Sequence, residues 1–311
     1  MISVIIPVYN AAAYLQACVD SVPSRPDVEV VLVDDGSTDG SVALCDSIAS
    51  RNGAVRVVHR ENGGLAAARN TGIAAARGEW LTFLDADDEL LPGALDVMLR
   101  VAASTGAAIV TGTLHNAVAI GVTRCARHPD VTVLTPRDAV EAALYQRGDV
   151  SGSACGKLIA ASLFRDEKFR EGTWYEDLDI FYRLFLDADK VAVIHSPVYF
   201  YRRNPSSFIN TFSPRRLDVL EVTDRLLRYV EANEPSLVPA ARSRRFSACF
   251  NMFLLLCRHR AMPERQAECW SVIRKYRWAE LLDRRTRLKN RLGAALSYGG
   301  RWLVSVVLRL V

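Results

Sequence analysis

The sequence predicts an α/β protein with a mostly parallel central sheet and a helical C-terminal region. Two observations carry this. Over the first hundred residues, short β-rich runs alternate with helical spacings across brief connections. That is the pattern of βαβ units whose strands are buried on both faces. Three of those runs also end in polar residues, and in an open parallel sheet such ends converge on one crevice at the carboxyl edge.

Residues 2–6 form a β-rich run stopped by Pro7, and helical spacing follows over 11–22. Residues 28–33, apolar except for Glu29, are a strand closed by Asp34-Asp35-Gly36-Ser37, with a helix to about Ser50 and Asp39 as its N-cap. Residues 55–59 make a third strand and 65–76 an Ala-rich helix. Residues 80–84 are a fourth strand ending in Asp85-Ala86-Asp87-Asp88; a helix over 93–103 sits behind Pro92, and 107–111 is a fifth strand. Beyond this the order loosens. Strands are expected at 114–123 and 131–134, then a helix over 136–145 with Thr135 as cap and Pro136 first. A helix over 176–187 precedes strands near 190–194 and 198–203, where His195 reads as structural. Residues 215–311 read as helical, with breaks at Pro235, Pro239 and Pro263.

The 311 residues are enough for a sizeable core, and half of them are hydrophobic, which argues against disorder. Net charge is +4, unevenly placed: residues 284–311 hold seven bases and no acid, so residues 1–283 carry a net −3. The seven cysteines are scattered, with no C-x-x-C pair and no His/Cys cluster, so neither a zinc site nor a disulfide framework is supported. Reduced cysteines, no signal-peptide pattern and no apolar run of about 20 residues point to a cytoplasmic protein.

The chemistry lies at the strand ends. Carboxylates crowded as in Asp85-Ala86-Asp87-Asp88 repel one another unless a cation sits between them, and oxygen ligands at low count suit Mg²⁺ or Mn²⁺ shared with a phosphate. An ionised carboxylate on the second strand accepts from a base with N–H donors, such as uracil N3–H. Tyr9, in Pro7-Val8-Tyr9-Asn10, offers an aromatic surface nearby. Both the dinucleotide fingerprint and the Walker A pattern are absent, which disfavours a nicotinamide enzyme or a P-loop NTPase.

Four strings, VIIPVYNAAAYL (4–15), VVLVDDGSTDGS (30–41), ENGGLAAARNTGIAAARGEWLTFLDADDELLP (61–92) and YEDLDIFYRLF (175–185), occur in order at compatible spacings. In these the chain resembles the family 2 glycosyltransferases of GT-A fold, over roughly residues 1–205. The resemblance implies an inverting transferase that uses a nucleotide-diphosphate sugar, UDP-linked by expectation, and Mn²⁺ or Mg²⁺. It implies that Pro7, Val8, Tyr9 and Asn10 contact the nucleotide, that Asp35 recognises the base, and that Asp34 is structural. Asp85 and Asp87 match the outer positions of the D-x-D motif, with Asp87 the principal metal ligand and Asp85 and Ala86 beside the nucleotide. Asp88 only caps or solvates the loop. Asp177 matches the catalytic base, although from spacing alone Glu176 and Asp177 read as acids opening a helix.

Further positions follow with less specificity. Arg69 resembles a position near the nucleotide, with a surface Arg near a helix end as the alternative. Lys157 and Glu176 are candidates for diphosphate or acceptor contact. Arg202 and Arg203, with Ser206 and Ser207, form a basic loop after the last strand that would close over the diphosphate. The domain reading is a nucleotide-sugar-binding half over 1–110, an acceptor-side half over 111–213, and a helical region over 214–311.

In the tail, Leu292, Leu296, Gly299, Leu303, Val306 and Leu310 recur at three- and four-residue steps between bases. This reads either as an in-plane helix on an anionic inner membrane face or as a helix packing on its own domain or a second subunit. Nucleic-acid binding lacks a module. The expected acceptor is a hydroxyl of a glycan or lipid-linked chain in polysaccharide or cell-envelope synthesis. Two rivals remain, a D-x-D phosphatase and an inactive nucleotide-sugar-binding scaffold.

Overall fold

The structure is a computed structural model describing residues 1–117, 124–203 and 213–307, with backbone only for 305–307. Ser206, Ser207, Arg309, Leu310 and the second half of the 114–123 segment lie outside the described residues. The chain divides into two compact units, Met1–Ala139 with Asp149–Phe212, and Val140–Gly148 with Ser213–Val311.

The first unit is built on one nine-stranded sheet. Its first half is β1 (Ile2–Val8), β2 (Val28–Asp35), β3 (Val55–Arg60) and β4 (Trp80–Phe83), paired in parallel in the order β3-β2-β1-β4. Between them run α1 (Leu15–Asp20), α2 (Ser41–Arg51) and α3 (Leu65–Ala75). Every residue of β1 and β2 is buried, as strands covered on both faces require. α3 lies against β1 at close range: a Cβ on Gly72 would stand 2.3 Å from Ile5 Cγ2. Asp39 caps α2 from one position further out than a true N-cap, accepting the Ser41 N–H at 2.9 Å.

The second half of the sheet departs from the expected parallel order. After the two-residue β5 (Glu89–Leu90) and α4 (Ala94–Thr105), β6 (Ile109–Ala117) runs as one strand through irregular register at Gly112–Leu114, where two separate strands were expected. β7 (Val131–Leu134) is followed by α5 (Pro136–Tyr145), and Thr135 Oγ1 accepts the Asp138 N–H at 3.2 Å as its cap. β8 (Lys157–Ala160), unforeseen because it is four residues long, inserts antiparallel between β4 and β6. α6 (Glu176–Asp187) leads into β9 (Val191–Arg202), which pairs with β5, β6 and β7. His195 lies within β9, held by Asp149 and Thr132.

The second unit holds α7 (Asp218–Asn233), α8 (Val238–His259), α9 (Pro263–Leu282), α10 (Leu288–Leu296) and α11 (Gly300–Val307). Pro239 does not break a helix; it occupies the first turn of α8, where its missing N–H costs nothing. The basic tail is two helices, because a 3₁₀ turn at Ser297–Gly299 and Gly300 at φ 84° interrupt it. Residues 140–148, at the end of α5 and beyond, pack with this unit. Among the described residues no helix is long and apolar enough to cross a membrane.

Candidate active site

Because β2, β1 and β4 are parallel neighbours, their carboxyl ends open side by side. At the end of β1, Pro7 and Val8 are buried, so only Tyr9, 54 % exposed, and Asn10 present side chains. Asn10 takes φ 51°, a left-handed conformation that Asn tolerates. Its Oδ1 accepts the Thr38 N–H at 2.8 Å and its own N–H donates to Ser37 Oγ at 3.1 Å, tying the first strand end to the second.

Asp35 is turned inward. Gly63 N–H donates to its Oδ1 at 3.0 Å and Gly64 N–H to its Oδ2 at 2.8 Å, and Arg60 pairs with Oδ1. The carboxylate therefore holds the approach to α3, where Gly64 stands at φ 86°. Asp34 serves the loop, as expected of a structural residue. Its Oδ1 accepts the Ser37 N–H at 3.1 Å and its Oδ2 faces His59 Nδ1 at 3.0 Å. Burial would raise its pKa, but these bonds outweigh it and hold the carboxyl below its usual range.

The loop after β4 is clamped by β9. The Asp85 N–H donates to Tyr199 Oη at 3.1 Å, and Tyr199 O–H donates to Asp88 Oδ2 at 2.7 Å. Asp88 Oδ1 accepts the Arg202 N–H at 2.8 Å, and Arg202 Nε donates to the Asp87 carbonyl at 3.0 Å. Two expectations are corrected here. Asp88 is no solvated cap: it is 1 % exposed, and burial pushes its pKa up to about 7 against the bonds it accepts. Arg202 is not in a loop that closes over a ligand; it ends β9, pairs with Glu89 and lies 5.2 Å from the Phe200 ring centroid. Arg203 follows, with Nε on Asn116 Oδ1 at 2.7 Å. The Ala86 side chain joins the core.

Arg69 gathers the rest. It sits mid-way along α3 and is 1 % exposed, so it is not a surface residue at a helix end; both terminal nitrogens meet carboxylates, while Nε has no hydrogen-bond partner among the described residues. Nη1 donates to Glu176 Oε1 at 2.8 Å and Asp177 Oδ1 at 2.6 Å, and Nη2 to Asp85 Oδ1 at 3.1 Å. Its guanidinium carbon lies 5.4 Å from the Phe169 ring centroid and 5.9 Å from that of Phe83. Burial alone would lower its pKa, but Asp177, Asp85 and Glu176 together raise it. Glu176 and Asp177 open α6 behind Tyr175, held at φ 64°. Burial and the adjacent Asp177 charge raise the Glu176 carboxyl.

Asp177 keeps 21 % of its side chain exposed and is fixed from two sides, by Arg69 on Oδ1 and the Ala154 N–H on Oδ2 at 3.0 Å. Next along the chain, Cys155 donates its thiol to Asp85 Oδ2 at 3.3 Å. Lys157 is fully buried, its Nζ without a hydrogen-bond partner among the described residues and 5.3 Å from the Phe181 ring centroid. Burial lowers its pKa to about 8, against the opposing charge of Asp177. It is an interior cation rather than a surface contact.

The residues fit a divalent cation of the hard, oxygen-loving kind. Burial together with the Asp85 charge raises the pKa of the Asp87 carboxyl, against a bond from its own backbone N–H and the charge of Arg202. A cation would relieve that crowding. No cluster of three ligating side chains exists among the described residues, so the protein would supply one or two carboxylates and leave the remaining positions to phosphate and water.

Sequence reasoning brought Asp35, Asp85 and Asp87 to this edge and the resemblance added Asp177, but both missed Tyr199, Cys155 and Phe169. None of these has a local pattern; a long-range contact alone reveals them.

The comparisons agree with this architecture. The family model described as glycosyl transferase family 2 matches residues 3–132. Glycosyltransferase GlyG of Streptococcus pneumoniae is 31 % identical over 223 residues, covering 68 % of this chain and 73 % of that protein. Cholesterol galactosyltransferase of Borreliella burgdorferi is 29 % identical over 212 residues, covering 64 % of this chain and 59 % of that one. In fold, the chain is similar to S. aureus TarS 1–349, solved in complex with UDP-GlcNAc. That match has a TM-score of 0.73 at 21 % identity over 99 % of this chain and 89 % of the other. On the combined evidence of motifs, fold and relatives, the chain belongs to glycosyl transferase family 2.

Proposed function

We propose that this protein is an inverting, metal-dependent glycosyltransferase. It moves a sugar from a nucleotide diphosphate, UDP, to a hydroxyl of a glycan or lipid-linked acceptor in polysaccharide or cell-envelope synthesis at the cytoplasmic face. The observation that carries this reading is the joint hold of Arg69 on Asp85 and Asp177. One buried cation thereby sets the D-x-D loop and the candidate base beside each other. UDP as the nucleotide is supported by TarS, a protein of like fold solved with UDP-GlcNAc and with UDP. A lipid hydroxyl as acceptor is supported by the name of the Borreliella relative.

In this mechanism Tyr9 presents its ring to the base, and Asp35, 3 % exposed and already holding three N–H donors, would meet uracil N3–H only with its one remaining acceptor position. Asp87 and Asp85 would hold Mn²⁺ or Mg²⁺, which when bound offsets charge on the diphosphate leaving group. Inversion needs a single in-line attack and hence one base on the acceptor side, unlike the paired carboxylates of glycoside hydrolysis. Asp177, fixed by Arg69 and Ala154, takes the acceptor proton as the new bond forms. Bound geometry is set before the reaction, because neither oxygen of Asp177 is free to swing.

A panel of nucleotide sugars tested by thermal shift with and without Mn²⁺ checks the reading, since a bound donor raises stability by mass action. A cation-dependent shift with a UDP-sugar, followed by metal-dependent donor hydrolysis in mass spectrometry, is the expected result. Binding without hydrolysis or transfer would favour the inactive scaffold, and phosphate release from simple esters the phosphatase.

A further inference from the structure

The helical unit carries an exposed face that its own packing leaves uncovered. Trp278 and Leu282 lie one turn apart on α9, and Leu288 and Leu292 one turn apart on α10; all four are more than half exposed. The two pairs belong together. Arg291 Nε, beside Leu292, donates to the Leu281 carbonyl at 3.1 Å, beside Leu282. Trp302, 74 % exposed, follows on α11. The opposite side of α10 is the packed one: Gly293 and Ala294 are buried, and a Cβ on Gly293 would meet the Phe250 ring at 2.8 Å. The exposed leucines therefore do not result from a poorly docked helix.

The same stretch is strongly basic. From Trp270 to Val307 there are nine bases against two acids. Of those acids, Glu280 is buried and Asp283 is paired with Arg285. Arg274 stands one turn before Trp278, and Lys275 and Lys289 are exposed on the same two helices. Burial and the charges of Arg287 and Arg244 lower the Lys289 pKa, which marks a cluster of like charge. Arg285 is also paired with Glu141, but bulky apolar side chains and an indole set among bases in this excess are suited to the boundary between lipid headgroups and acyl chains. A second copy of this chain meeting the face through a two-fold axis would bring base against base. Nucleic acid would leave the leucines without a partner.

We infer that the composite α9–α10 face, and not the tail alone, is a docking surface for an anionic lipid bilayer. This stands independently of the donor and metal reading. The bases draw the unit to the membrane, and Trp278, Leu282, Leu288 and Leu292 insert at shallow depth.

The test uses the full chain with vesicles of phosphatidylcholine alone or mixed with phosphatidylglycerol. Co-sedimentation with the anionic vesicles only, weakened by salt and accompanied by a blue shift of tryptophan emission, is expected. Trp278→Ser/Leu282→Ser/Leu292→Ser should lower vesicle binding by about tenfold or more with an unchanged circular-dichroism spectrum. These side chains are already exposed, so the variant keeps its packing. Absence of binding to anionic vesicles, or equal binding by the triple variant, would overturn the inference. Concentration-dependent dimerisation abolished by the same three substitutions would assign the face to a second copy and overturn it as well.

Discussion

Arg69 Nη1 donates to Asp177 Oδ1 at 2.6 Å although the two residues are 108 positions apart in the chain. The pair fastens the start of α6 to α3 beneath the loop after β4. Arg69→Lys keeps the charge but replaces a planar fork holding three carboxylates with a single point. Transfer should fall roughly 10²-fold, because a shift of about 1 Å in a catalytic group costs that much. Arg69→Met leaves Asp85, Glu176 and Asp177 uncompensated and should destabilise the protein by about 3–5 kcal/mol. Turnover assays and chemical denaturation measure both; wild-type values in either variant would mean that the carboxylates are held by something else.

Asp177 and Asp87 should separate chemistry from donor binding. Asp177→Asn preserves shape and the bonds to Arg69 and Ala154 in part, so donor affinity should persist while transfer drops roughly 10²–10⁴-fold. Asp87→Ala should instead abolish the Mn²⁺-dependent part of donor binding, read by calorimetry with and without chelator. If Asp177→Asn turns over normally, another group is the base; if Asp87→Ala binds donor with wild-type Mn²⁺ dependence, the ligand assignment is wrong.

Tyr199→Phe removes one oxygen from a fully buried relay between the Asp85 N–H and Asp88 Oδ2. Each partner is then left short of a hydrogen bond, at a cost of about 1–3 kcal/mol. The D-x-D loop loses its anchor as well, so the KM for donor should rise more than kcat falls. An unchanged KM with lowered stability would reduce Tyr199 to a core residue.

Much of this site could be read from the sequence because the responsible strings are local. Asp35 and Asp85 each end an apolar run, and a parallel sheet brings such ends together. What stayed hidden depends on contacts across more than 100 residues. Tyr199 alternates with its neighbours along β9, as any strand residue does, and nothing local distinguishes it from Tyr201. Arg202 was read as part of a loop because basic and hydroxyl residues follow it, yet its N–H is claimed by Asp88. β8 was missed because four residues carry too little periodicity; its antiparallel insertion, with the antiparallel pairing of β5 and β7 to β9, makes this half of the sheet mixed. Arg69 reads as a surface residue by type; only the three carboxylates and two phenyl rings around it make its burial tolerable.

Glu280 gives the helical unit a pH dependence of predictable sign. It is buried on α9 and accepts the Ser243 O–H at 2.9 Å, and burial raises its pKa to about 7. The folded state therefore holds a proton that the unfolded chain gives up near the ordinary carboxylate pKa. The stabilisation is fully present below that unfolded value and is lost as pH rises through about 7. Replacing the group by Glu280→Gln removes the ionisation and keeps an acceptor for Ser243. Denaturation midpoints of the two proteins should converge at acid pH and diverge toward pH 8, the variant becoming relatively more stable by up to about 3 kcal/mol. Parallel curves across that range would show that Glu280 stays charged when buried, with its hydrogen bonds to Ser243, Asn290 and Thr286 supplying the compensation.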